Sequence, residues 1–436
     1  MKVTHLNASD SIGGAARAAY RLHRSILSYG AEHDLYSTMR VTHKLSQDHT
    51  VICKALPPAT RRQRIYRDFI QRKHQSFRTG NPILHSTAWP DTGLGQELEY
   101  SHRSGEANLV NLHWLGDSTV SIEEIGYLSC PLIWTLHDQW AFCGAEHYTT
   151  PPQHGESAST DERFAIGYAP SSRPSHESGY DLNRHTWIRK RKSWQRPIHI
   201  VSTSKWMLDC ARRSALMSSW KHSIIPNPID LTTWAPFEQK HARGLFNLPT
   251  NRPLVLFGAP GGTSDPRKGA DLLFEALQHL RMRLDGSPLA NLELVVFGQS
   301  RPAHPPDLGF PIHYVGNLND DVSLRLLYTT ADVFVIPSRQ DTLLNTGLEA
   351  HACGIPVVAF RTGGLPDIVE HRITGALADP FDPVSMAESL IWVLEDSQRR
   401  EQLGRAARAR ALSSWSPQRI VSMYADVYQE ALDSSP

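Results

Sequence analysis

Along most of the chain, short apolar runs of strand length alternate with longer stretches whose apolar residues recur at helical spacing. Residues 2–6 read as a first strand, followed by a loop over 7–14 and an alanine-rich helix from Ala15 that Gly30 could close. Further strands are expected at 108–112, 132–136, 198–202, 253–258, 291–298 and 313–316, with helices at 270–280 and up to Thr330. Beyond Gly375 the pattern turns helical, with amphipathic stretches at 383–394, 399–412 and 417–432. Repeated strand–helix alternation argues for mostly parallel sheets with helices on both faces, an α/β class. A length of 436 residues exceeds one ordinary core and implies two domains. The run Ile224-Ile225-Pro226-Asn227-Pro228-Ile229-Asp230, with its two prolines, is the expected hinge between them.

The stretch from 331 to 375, ADVFVIPSRQDTLLNTGLEAHACGIPVVAFRTGGLPDIVEHRITG, concentrates the chemistry. Strands at 332–336 and 356–360 bracket one helix, which should begin near Asn345 or Thr346 and end before Gly354. Asp341 precedes the helix and Glu349 lies a turn inside it, eight positions on. A helix N-terminus has unsatisfied N–H groups and a partial positive charge, so phosphate can dock there while carboxylates accept from sugar hydroxyls. The spacing suits a sugar joined to a diphosphate. Thr346-x-x-Glu349 equally fits a capping box, and Asp341 a solvated turn.

Other candidates stand where strands end, the edge at which parallel sheets bind ligands. There is no GxGxxG, but Gly13-Gly14 would let backbone approach a ligand, and Arg17 follows within a turn as a contact for phosphate or acceptor, or as a surface arginine. His113 and His137 each close an apolar run and can face a crevice or satisfy a local carbonyl. Gly261, Gly262 and Gly269 make the next loop permissive, and Arg267-Lys268 place two cations within it.

Charge and composition exclude several classes. Lys plus Arg is 45 against 44 for Asp plus Glu, a net charge of +1, so no nucleic acid partner is called for. Apolar residues make up 40%, yet no run approaches a membrane span, and the N-terminal MKVTHLNASDS lacks a secretory apolar core; a cytoplasmic protein is expected. Cys53, Cys130, Cys143, Cys210 and Cys353 form no CxxC pair, so neither metal nor a disulfide framework is expected. Basic residues interleave with apolar ones at 61–78, which allows a helix lying on an anionic membrane as well as one packed on its own domain. Residues 149–183 read as a long loop or partly disordered insertion, and 184–196 as a surface helix.

The 331–375 stretch resembles the acid-x7-acid signature of retaining family 4 glycosyltransferases of the GT-B fold. The first acid there is usually Glu, with Gly after it and again two residues on; here Asp341, Thr342 and Leu344 stand at those positions. The resemblance implies that Asp341 contacts the donor sugar, that backbone around Leu343, Leu344 and Asn345 meets the distal phosphate, and that Glu349 holds the ribose. TLHDQWAFCGAEHY resembles a stretch of bacterial polysaccharide transferases in which the histidine, here His137, lies beside the donor sugar. Lys268-Gly269 matches the K-G before the family's donor-domain helix. The family's arginine just after the preceding strand is replaced by Ala259 or Pro260, leaving Arg267 as a candidate substitute.

The resemblance implies two Rossmann-like, doubly wound domains facing across a cleft, 1–224 completed by a returning helix at 416–436, and 225–415. It implies transfer from a nucleotide-diphosphate sugar to a glycan or lipid-linked glycan, with retention, in surface polysaccharide synthesis at the inner face of the cytoplasmic membrane. The implied catalytic residues are His137, Lys268 and Asp341; donor-binding residues are Gly13, Gly14, Arg267, Leu343, Leu344, Asn345 and Glu349; Arg17 and His113 are acceptor candidates. No cofactor is expected, and the absence of any D-x-D triplet accords with a metal-independent reaction. A sugar-nucleotide epimerase or inverting transferase shares the layout, and a nucleic-acid-binding protein is a distant alternative.

Overall fold

The computed structural model describes residues 1–53, 60–77, 84–88, 92–116, 119–150, 162–258, 265–284 and 287–434. These divide into two compact units that meet in sequence between Pro228 and Ile229, within the two-proline segment; the chain from Pro417 belongs to the first unit. The glycine loop at 259–264, with Ala259, Pro260, Gly261 and Gly262, lies outside the described residues, as does 151–161 of the insertion.

In the first unit the described strands are β1 (Lys2–Ser9), β2 (Tyr36–His43), β3 (Val51–Ile52), β4 (Leu109–Leu112), β5 (Leu132–Leu136), β6 (His199–Ser202) and β7 (His222–Ile224). They form one parallel sheet in the order β3-β2-β1-β4-β5-β6-β7. The first strand runs three residues past its apolar core because its polar end is paired: the Trp114 N–H donates to Asn7 Oδ1 at 2.8 Å, and Thr42 Oγ1 to the Ala8 carbonyl at 2.8 Å. Helix Pro417–Asp433 lays Ile420, Val421, Tyr424 and Tyr428 against Val3, Leu109, Ile133 and Val201 on one face of this sheet. Asn111 Nδ2 donates to the Tyr428 hydroxyl at 2.7 Å, and the Thr135 and Tyr424 hydroxyls lie 3.0 Å apart, so the buried polar atoms at that contact are paired.

The second unit has β8 (Leu254–Gly258), β9 (Glu293–Phe297), β10 (Ile312–Tyr314), β11 (Val333–Ile336), β12 (Val357–Phe360) and β13 (Gly375–Ala378). These too are all parallel, in the order β10-β9-β8-β11-β12-β13. Two apolar layers sandwich the sheet, one around Leu273, Leu277 and Leu390, the other around Leu327, Tyr328 and Leu348. In both sheets the order reverses beside the first strand, between β1 and β4 and between β8 and β11.

Four expectations need correction. Strand β2 was not anticipated; its Arg40 is tolerated inside because Nε and Nη2 donate to the two Glu97 carboxylate oxygens at 3.0 and 3.1 Å. Strand β13, Gly-Ala-Leu-Ala, carries no β-branched residue, and its glycine is required because a Cβ there would lie 1.9 Å from the Val357 carbonyl oxygen. Residues 162–183 are not a structureless insertion: Arg163 pairs with Asp181 at 2.8 Å and Glu177 at 3.3 Å, ion pairs that leave no periodic trace in sequence. Helix Leu182–Ser193, capped by Asp181, is not a surface helix, since Trp187, Arg189 and Lys190 are buried. Among the described residues no helix is long and apolar enough to cross a membrane.

Candidate functional site

At the C-terminal ends of β8 and β11, where the second sheet reverses, three charged side chains converge. Arg267 Nη1 donates to Asp341 Oδ1 at 3.0 Å, and Lys268 Nζ donates to the two oxygens of the same carboxylate at 3.1 and 2.9 Å. Burial alone would raise the Asp341 carboxyl, but the adjacent Lys268 and Arg267 outweigh it and hold it below its ordinary value. Asp341 is therefore an ionised, buried residue, not a solvated turn. Arg267 Nη2 also donates to Asp265 Oδ2 at 3.1 Å, so two cations face two carboxylates, with the Lys268 ammonium still about a third exposed.

Loop geometry fixes this arrangement. Arg267 and Lys268 lie in a 3-10 turn, Pro266–Lys268, closed by Gly269 at φ 66°, where a Cβ would meet the Pro337 carbonyl oxygen at 2.0 Å. The Arg339 N–H donates to the Arg267 carbonyl at 2.8 Å, and Arg339 forks onto Asp271 at 2.8 and 2.7 Å. The Gly364 N–H donates to the Asp341 carbonyl at 2.9 Å from the far side. Arg339, Asp271 and Gly364 were missed because their role is to hold other residues, and no local spacing marks that.

Helix Asn345–Ala352 follows at once, with Leu344 as an extended N-cap that offers no side-chain hydrogen bond. The helix begins at Asn345 as expected, but its N-cap is Leu344 and neither Asn345 nor Thr346, and the capping box does not form. Glu349 is buried and accepts from the Tyr328 hydroxyl at 3.1 Å. Leu343 and Asn345 are buried, whereas Leu344 is half-buried. The helix ends as expected: the Ile355 N–H reaches the Ala350 carbonyl and the Gly354 N–H that of His351, both at 2.9 Å, with Gly354 left-handed at φ 75°.

In the first unit, Gly13 and Gly14 are exposed and open helix Gly13–Tyr29 just beyond β1; Gly13 has φ 85° and open space where a side chain would stand. Arg17, one turn in, is half-buried. His113 follows β4 and His137 follows β5, and the structure brings them together: His113 Nδ1 lies 3.0 Å from His137 Nε2. His113 Nε2 in turn lies 2.9 Å from Nδ1 of His5, a β1 residue not singled out in the sequence. His113 is buried with both ring nitrogens engaged, so it stands behind His137 and does not itself reach an acceptor. The next residue, Asp138, is held by His147 Nδ1 at 2.5 Å.

Burial pulls the pKa of His23 and His137 from 6.5 to about 4, and those of His5 and His113 well below 6.5. Groups depressed in the folded state stabilise it fully above pH 6.5, and that contribution is lost as pH falls toward 4, where the unfolded chain takes up protons the folded one refuses. Glu146 and Glu177, raised by burial, pull the other way but are outnumbered. The denaturant midpoint is therefore expected to drop between pH 7 and pH 5; an unchanged midpoint would contradict the neutral, buried imidazoles.

With the geometry in place, comparison with known proteins shows what the second unit is similar to. Residues 245–410 match the family model "Glycosyl transferases group 1". This segment is similar to the domains of that family. A D-inositol 3-phosphate glycosyltransferase of Xylanimonas cellulosilytica is 32% identical over 229 residues, 49% of this chain and 52% of that protein. The chain thus spans about half the length of the curated relatives it matches. Across the full chain, the sucrose-phosphate synthase of Thermosynechococcus elongatus aligns with TM-score 0.65 and 17% identity, covering 100% of both chains. HepE of Anabaena, solved with UDP-glucose, aligns with TM-score 0.63 and 15% identity over 99% of this chain and 100% of its own. These likenesses establish the fold as two Rossmann-like parallel-sheet domains of the GT-B kind. The matched residues include Arg267, Lys268, Asp341 and Glu349.

Proposed function

We propose that the protein transfers a sugar from a nucleotide-diphosphate donor to a glycan or lipid-linked glycan, with retention of anomeric configuration. The observation that carries this reading is the Asp341 carboxylate clamped by Arg267 and Lys268 at the switch point of the second sheet, beside a helix start without a side-chain cap. Two cations there, one of them the partly exposed Lys268 ammonium, suit a diphosphate, whose charge grows as the glycosidic bond lengthens. Lys268 and Arg267 neutralise that charge, backbone near Leu343, Leu344 and Asn345 meets the distal phosphate, and Glu349, held by Tyr328, grips the ribose. Asp341 and His137 orient the sugar, with Gly13, Gly14 and Arg17 serving the same reaction. The group 1 match and a full-length neighbour solved with UDP-glucose support this assignment.

Two fixed cations do the work of a divalent ion, so the reaction needs no metal. Purified protein incubated with UDP-, GDP- and ADP-sugars and candidate acceptors is expected to form product at an unchanged rate in excess chelator, with NMR showing the donor's anomeric configuration kept. Inverted product, or free epimerised donor in the absence of acceptor, would overturn it. The relatives named for D-inositol 3-phosphate favour a second reading in which the acceptor is a phosphorylated polyol, which the same acceptor panel distinguishes.

Helix Arg61–Ser76 supports action at a membrane surface in the cytoplasm. Ile65 and Phe69 are 61% and 52% exposed one turn apart, among exposed Arg61, Arg64 and Arg72. Cosedimentation with anionic vesicles at low salt is expected, and protein left wholly in the supernatant would remove this part of the reading.

A further inference from the structure

His5, His113 and His137 stand on or just past three neighbouring strands, β1, β4 and β5, each one further toward the C-terminal edge of the sheet than the last. Strands lie about 4.8 Å apart. The ring centroids, at 5.2 Å and 5.3 Å, follow that spacing, so the imidazoles form a continuous diagonal from the core to the rim. His5 is fully buried and His113 nearly so, while His137 is half-buried. Nitrogen meets nitrogen at both steps, 2.9 Å between His5 Nδ1 and His113 Nε2, and 3.0 Å between His113 Nδ1 and His137 Nε2.

A neutral imidazole has one N–H and one lone pair, so both hydrogen bonds in such a row must point the same way. If they point inward, His137 donates through Nε2, His113 donates through Nε2, and His5 is left with an N–H at Nε2. That nitrogen has no partner among the described residues. If they point outward, His5 donates through Nδ1, His113 donates through Nδ1, and His137 accepts at Nε2. Only a lone pair is then stranded in the core, and buried N–H groups without an acceptor are rarer in folded proteins than acceptors short of a donor. The outward order is the one this geometry favours.

We propose that His5 and His113 are positioning residues that hold His137 in one orientation and one tautomer, Nε2 accepting from His113 and the proton on Nδ1. Burial keeps all three rings neutral at neutral pH, and the nearest acid in sequence, Asp138, is occupied by His147. A substrate hydroxyl meeting the Nδ1 side therefore finds a donor whose direction is set before binding, with no reorientation left for the reaction step. The significance of this rests on the reading that His137 meets the transferred sugar.

The test is long-range nitrogen–proton NMR of the ligand-free protein with labelled histidine, the His137 signals assigned by their loss in His137→Gln. A protonated-type shift at Nδ1 and a bare-type shift at Nε2 are expected. His113→Gln keeps an acceptor for the His5 N–H and a donor for His137, and should preserve both the pattern and turnover within a few-fold. His113→Leu keeps neither, and should leave His137 a mixture of tautomers with kcat lowered at least tenfold and the donor KM little changed. A proton on Nε2 in the wild type, a His137 pattern lost in His113→Gln, or one untouched in His113→Leu, would overturn the proposal. Adding a UDP-sugar separates the two layers. If the ligand-free pattern is as expected but saturating donor and acceptor leave the His137 signals in place, the imidazole row stands and the assignment of His137 to substrate fails.

Discussion

Lys268→Ala is expected to lower the rate of sugar transfer by about 10²–10³-fold while leaving the melting temperature close to that of the wild type. The asymmetry follows from where the side chain sits. Its ammonium is about a third exposed and shares the Asp341 carboxylate with Arg267, so the fold keeps a paired aspartate when the lysine is gone. An ion pair of that exposure contributes little to stability, on the order of 1 kcal/mol or less. The leaving diphosphate, by contrast, keeps only Arg267 and backbone donors in the transition state, where its charge is greatest. Steady-state rates beside a melting curve make the comparison: a wild-type rate removes Lys268 from the reaction, and a collapsed fold makes it a structural cation.

Lys190→Met is expected to show the opposite signature, with stability falling by about 3 kcal/mol or more. The Lys190 ammonium is fully buried, donates to the carbonyls of Trp140, Cys143 and Gly144, and sits 3.8 Å from the centre of the Trp140 ring. Burial pushes its pKa down to about 7. Removing it orphans three carbonyls in the loop that follows β5, the loop that also carries His137 and Asp138, and each unsatisfied buried group costs about 1–3 kcal/mol. Denaturant titration gives the number, and loss of transfer should accompany it at temperatures where the variant begins to unfold. A midpoint within the error of the wild type would mean that water or neighbouring N–H groups can take over from the ammonium.

What the sequence could convey about the fold depended on whether a segment's burial left a regular trace. The strands around residues 255 and 334 are buried and read as unbroken apolar runs, and those around 110 and 134 as apolar runs with one polar residue each, Asn111 and Thr135. Strand β2 carries Ser37, Arg40 and Thr42 inside a sheet, paired by groups distant in the chain, and β13 is built of small residues at a sheet edge. Neither kind of satisfaction is local, so neither strand was legible. Helix Leu182–Ser193 was misread for the same reason: arginine and lysine at 189 and 190 signal solvent until the carboxylate of Glu123 and the ring of carbonyls are in view.

The candidate site divides similarly. Arg267, Lys268 and Asp341 could be picked out because cations and an acid at strand ends have a physical reason to be there, but their mutual pairing at 2.9–3.1 Å spans more than 70 residues of sequence and only the fold supplies it. The Thr346–Glu349 spacing invited a capping box, yet Tyr328 on a neighbouring helix takes the carboxylate instead. His5 lay unremarked inside the first strand. Its significance comes from parallel register, which sets His5 opposite Asn111 and brings His113 within reach two residues later.

The central claim, that the cluster at Arg267, Lys268 and Asp341 holds a diphosphate, is tested most directly by calorimetric titration of the full chain with nucleoside diphosphates and the matching nucleosides. At least one of UDP, GDP and ADP should bind tenfold or more tightly than its nucleoside, the gap shrinking as salt rises and vanishing in the Arg267→Ala/Lys268→Ala double variant. Equal affinity for nucleoside and diphosphate in the wild type, or a gap that survives in the folded double variant, would place the phosphates elsewhere and contradict the claim.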